Sequence, residues 1–111
     1  GYDLSGAAIS EVFTFEADTA ATVAGNKAFA KVNKIYIPKQ DGSGATFKIG
    51  YGEKLGLPYK LDEQTEVSAI FGGVLESTKP TLAIDADNIS GNTVKLSSTL
   101  DYEAVVVLLT L

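Results

Sequence analysis

The chain has 111 residues and a mass of 11.6 kDa, enough for a single domain, 1–111, with a modest core. Hydrophobic residues at 45% and charged residues at 21% are ordinary for a folded protein and exclude a disordered or low-complexity chain. Cys, His, Arg, Trp and Met are all missing, which removes disulfides, thiolate nucleophiles, the commonest general base and the commonest metal ligand.

Chemistry is left to carboxylates, Lys, Tyr, Ser and Thr, so no catalysis, cofactor or metal is expected. The net charge is −5, with Lys the only cation. An acidic chain without guanidinium forks is a poor reader of bases and phosphates, so no nucleic-acid partner is expected. The longest apolar run, Ala104 to Leu109, is far below the roughly 20 residues of a membrane-spanning helix, and no membrane partner is expected. Gly1-Tyr2-Asp3-Leu4 carries no basic region followed by an apolar core, so any leader is expected to be absent or already removed. A start at Gly rather than Met fits trimming, processing or an excised fragment.

Along the chain, alternation with period two dominates. Glu11–Glu16 places Phe13 and Phe15 on one parity and predicts a half-buried strand. Ala17–Gly25 is rich in Ala and Thr but has no apolar stripe, and reads as a loop or short strand. Lys27–Ile37 is β-branched and aromatic and stops at Pro38; its parity changes near Asn33, where a bulge would exchange the faces. Asp41-Gly42-Ser43-Gly44 is a turn signal, and Ala45–Tyr51 beyond it alternates most cleanly of all, with Phe47, Ile49 and Tyr51 on one face. Lys27–Tyr51 is therefore expected as one hairpin.

Val67–Phe71 and Val74–Ser77 flank Gly72-Gly73, a second hairpin signal. Thr81–Ala86 and Thr93–Leu96 are further strands, joined through Ser90-Gly91-Asn92. Glu103–Leu111 is apolar on both parities and is expected to lie centrally in a sheet, where both of its faces would be covered. Some eight short strands without crossover helices predict an all-β fold with little or no helix, an antiparallel β-sandwich or jelly-roll-like barrel.

Four motifs could carry chemistry. Gly50-Tyr51-Gly52-Glu53-Lys54-Leu55-Gly56 is one residue too long for a dinucleotide loop, and Pro58 blocks the helix such a loop opens; a tight corner between strands is the better reading. Asp85–Asn92 offers oxygens at alternate positions but lacks the Gly and the bidentate Glu of a calcium loop, so a solvated turn outweighs calcium. Asp62, Glu63 and Glu66 could act as an acid–base set only across a cleft, and charges beside a strand are ordinarily edge protection. The five tyrosines Tyr2, Tyr36, Tyr51, Tyr59 and Tyr102 fall near strand ends, where an interface role and end-capping are about equally supported.

Gly1–Glu11, Gly25–Phe29 with Val32 and Ile35, Gly50–Pro58, and Asn92–Leu96 running through Leu100-Asp101-Tyr102 into an apolar strand together resemble small structural proteins of tailed-bacteriophage virions. The resemblance covers most of the chain and contains no catalytic motif. It implies a β-rich, non-enzymatic capsid decoration (cement) protein on the capsid surface, bound to the major capsid protein or other virion proteins, with self-association left open. The alternative is a carbohydrate- or receptor-binding β-sandwich of a phage tail or fibre or of a bacterial adhesin. For either, the corner Gly50–Tyr59 is the expected contact region, with Tyr51, Leu55, Leu57 and Tyr59 as anchors; for the two leucines, core filling competes with the interface role.

Overall fold

The computed structural model describes residues 1–110 and is all-β apart from a single 3₁₀ turn at Ile89–Gly91. Two antiparallel sheets of three strands each are formed. The first contains β1 (Lys54–Gly56), β4 (Thr81–Ala83) and β5 (Thr93–Lys95) in the order β1-β5-β4; the second contains β2 (Val67–Phe71), β3 (Val74–Leu75) and β6 (Val105–Leu109) in the order β3-β2-β6.

Register in the first sheet follows from its side chains. Leu55, Val94 and Leu82 pair in one row across three strands, which gathers the apolar residues on one face. Gly56, Thr93 and Ala83 form the next row. The absent side chain at Gly56 admits Ala28, since a Cβ built there would stand 2.6 Å from the Ala28 Cβ. Lys54 lies opposite Lys95, a repulsive pairing that is relieved by separate partners. Lys54 Nζ donates to Gly25 O and Asn26 Oδ1, and Lys95 Nζ pairs with Glu53 at 3.2 Å.

The second sheet is built on the hairpin at Gly72-Gly73. Both glycines have positive φ, 56° and 82°, the backbone that a two-residue turn with the strands' own twist requires. The core draws on both sheets: Leu82 and Val94 from the first, Val67 from the second, and Leu57 and Leu61 from the segment after β1. Each contributes about 1.5–3 kcal/mol of burial.

The first half of the chain departs from expectation. Glu11–Glu16, Lys27–Ile37 and Ala45–Tyr51 form no strands, so six strands are present among the described residues, and the hairpin Lys27–Tyr51 and its bulge near Asn33 do not form. Among the described residues, 10–27 and 32–53 make no backbone–backbone hydrogen bond; Tyr2 bridges Ala8 and Lys31, and Ala28 N donates to Ser90 O at 2.8 Å, pinning only the ends of these excursions. Alternation records which side chains want one face, not that a partner strand is at hand. The β6 expectation is also corrected: it is an edge strand, paired with β2 alone, and Leu111 lies outside the described residues.

The dimensions reflect these open excursions. The radius of gyration is 16.3 Å, against about 13 Å for a compact domain of this length.

Candidate functional site

Between β1 of one sheet and β6 of the other lies a cleft of ≈ 1010 Å³. Leu55 and Tyr59 line it from the β1 side, Val107 and Leu109 from β6, and Tyr51 and Tyr102 stand on its rim. The two rim tyrosines are fully exposed. Tyr102 has φ 72°, a left-handed backbone that a bulky residue adopts at a cost of roughly 1–2 kcal/mol. The Asp101 carboxylate accepts the Glu103 N–H at 3.2 Å across it, which fixes the bend that carries the ring outward.

Leu57 and Val94 at the cleft are buried, whereas Tyr51, Tyr59 and Tyr102 are exposed. Thr110 N donates to Glu66 O and Gly72 N to Ala104 O, at 3.2 and 3.0 Å. With the β2–β6 register, these bonds turn the N–H and C=O groups of residues 104, 106, 108 and 110 toward β2. The alternate residues Val105, Val107 and Leu109 then point theirs away, toward the free edge. Their side chains face the cleft, while Val106 and Leu108 are exposed on the outer face of the sheet beside Leu75. No Pro, Lys or Glu interrupts β6, so none of the ordinary edge protections is present within it.

Of the expected anchors, Tyr51, Leu55 and Tyr59 meet at this cleft; Leu57 borders it too but is only 5% exposed and belongs to the core cluster. Tyr2 and Tyr36 do not line the cleft. The contribution of β6 to the site was not anticipated. Its only signal was the apolar character of both parities, which reads the same for a central strand and for an edge awaiting a partner.

The other motifs are structurally occupied. Asp85 Oδ1 accepts the N–H groups of Asp87 and Asn88, each at 2.9 Å, and these backbone donors, Asn88 first, hold its carboxyl below the usual range. Inside the same loop Asn92 is 0% exposed. Its Oδ1 accepts from Leu61 N and Asp85 N, and its Nδ2 donates to Asp85 O and Asn88 O, so the whole amide is satisfied. Among the described residues no cluster of three or more carboxylates could hold a metal ion. Glu66 pairs with Lys79 on the surface, and the lysine's hydrogen bond and charge lower its pKa, the opposite of what a general acid requires.

Comparison with protein families, curated proteins and solved structures finds no match to this chain.

Proposed function

We propose that this chain is a non-enzymatic structural protein of a tailed-phage virion, a capsid decoration (cement) protein that attaches to the head shell and contacts the major capsid protein. The observation that carries this reading is surface. The chain exposes 8538 Å², whereas a compact monomer of its mass exposes roughly 5,800 Å². Large apolar side chains contribute to it: Phe13, Phe15, Ile35, Ile37 and Ile49 all stand open, as expected of a module completed by assembly. The residue resemblance at Gly1–Glu11 and Gly50–Pro58 supplies the virion context. The expected eight-stranded sandwich or jelly-roll-like barrel belongs to this proposal, as the form the excursions reach once partnered.

An antibody against this chain, applied to purified particles and viewed by electron microscopy, tests the reading. Label spread over the head is the expected result. Label confined to the tail, or no label on particles that contain the chain's own genome, would overturn it.

A second reading, a carbohydrate- or receptor-binding module, is favoured by one observation: Tyr51 and Tyr102 stand on the cleft rim beside Glu53 and Glu103, aromatic faces next to carboxylate acceptors. Glycan binding that Tyr102→Ala abolishes, with unlabelled heads, would select it.

A further inference from the structure

We propose that a second copy of this chain fills the cleft by strand addition, laying its Ala45–Tyr51 segment along the free edge of β6. This goes beyond attachment to a shell and does not depend on it.

The acceptor is defined by backbone. Val105, Val107 and Leu109 present outward N–H and C=O groups along a five-residue edge, and their side chains form one wall of an apolar cleft. A strand added there must alternate, with apolar residues on the cleft side and polar residues outside. It must also be free of Pro and lack a backbone partner of its own.

Ala45–Tyr51 meets each requirement. Phe47, Ile49 and Tyr51 share one face, Thr46 and Lys48 the other, and no proline intervenes. Among the described residues, 45–51 make no backbone–backbone hydrogen bond, and Ile49 is 64% exposed. The remaining alternating segment, Glu11–Glu16, is anchored at its start: Glu11 accepts the Asn26 and Lys27 N–H groups.

Area argues that the occupant is another copy. The surface of 8538 Å² exceeds that of a compact monomer by about 2,700 Å², roughly three times the ~800 Å² each partner hides in a standard stable interface. Donor and acceptor lie on the same chain, so reciprocal exchange satisfies both in each copy.

Light scattering on the purified full chain, with no particles present, tests this across a dilution series. The wild type is expected at an integer multiple of 11.6 kDa, two or more. Ile49→Pro removes a donor N–H in a segment that, among the described residues, makes no backbone–backbone hydrogen bond, and is expected to reduce the mass at least twofold while the exchange protection of β2 amides is kept. Ile49→Val should retain the wild-type mass. Phe47→Lys, which changes a side chain on the donor's apolar face and also removes its edge-to-face contact with Phe15, ring centroids 6.2 Å apart, should weaken association in the same direction. A wild type that stays at 11.6 kDa at every concentration, or an Ile49→Pro variant that keeps the oligomeric mass, would overturn the proposal. Head labelling could fail while the oligomer persists, so the two readings are tested separately.

Discussion

Asn92 is the residue on which the second half of the chain turns. It is fully buried, and its amide joins Leu61, at the end of the segment after β1, to the Asp85–Asn88 loop through four hydrogen bonds. In Asn92→Ala, the buried Leu61 N–H, the part-buried Asp85 N–H and the Asp85 carbonyl lose their partner together, while Asn88 O keeps the Gly91 N–H. Unsatisfied buried groups cost about 1–3 kcal/mol each, and relaxation recovers part of this, so a loss of about 3–5 kcal/mol is expected in urea unfolding. Asp3, at the other end, is one of four carboxylates held low among the described residues, with Glu66, Glu76 and Asp85, that together set the acid limit. Its Oδ1 accepts from the Ser5 hydroxyl and from the Ser5 and Ala7 N–H groups, and the Ser5 hydroxyl foremost holds its carboxyl below the ordinary 3.8. A carboxylate whose folded pKa is depressed contributes stability above its unfolded pKa and loses it as pH falls through the folded value. Melting temperature should therefore be level near neutrality and decline below about pH 4, and Asp3→Asn should flatten part of that decline.

At the scale of elements, strands in the second half of the chain were legible, β6 among them, whereas β1 falls in a stretch read as a corner and the hairpin expected over Lys27–Tyr51 does not form. The β2–β3 hairpin is announced by Gly72-Gly73, because only a residue free of Cβ strain accepts two successive positive φ values. Thr81–Ala83 and Thr93–Lys95 were likewise foreseen, since Pro80 and Ser90-Gly91-Asn92 punctuate them. The cleft was half legible: Tyr51, Leu55 and Tyr59 come from one corner, but β6 reaches them through its pairing with β2 across some 40 residues of sequence, a long-range choice that local pattern does not encode. For Glu103–Leu111 the pattern reads as cover on both faces, but β6 is an edge strand whose Val106 and Leu108 stand exposed on the outer face, because apolar character on both parities does not fix which faces are covered. Amide exchange on β6 makes the distinction measurable. Within one copy, the amides of Val106 and Leu108 point to β2 and should exchange slowly, whereas those of Val105, Val107 and Leu109 should exchange fast. On association the fast set should slow toward the other, and uniform exchange along β6 at high dilution would contradict the edge assignment.

For the whole molecule, the balance is between apolar surface that favours association and charge that opposes it. Each copy carries a net charge of −5 with no Arg, so like copies repel at long range. The groups that meet in strand addition, Phe47, Ile49 and Tyr51 against Val105, Val107 and Leu109, are uncharged. Their contact is short-range and nearly independent of ionic strength, while the repulsion is screened over a length that falls from about 30 Å at 0.01 M salt to about 3 Å at 1 M. Association should therefore tighten as salt is raised, the reverse of an interface held by ion pairs. Sedimentation at fixed protein concentration along a sodium chloride series checks this. The oligomer fraction should rise to a plateau by roughly 0.15 M, where the screening length of about 8 Å is already shorter than the molecule's smallest dimension of 21 Å. A fraction that instead falls with salt would assign the contact to the lysines and carboxylates at the surface, among them Lys79, Glu66, Lys95 and Glu53, and would move the interface away from the cleft.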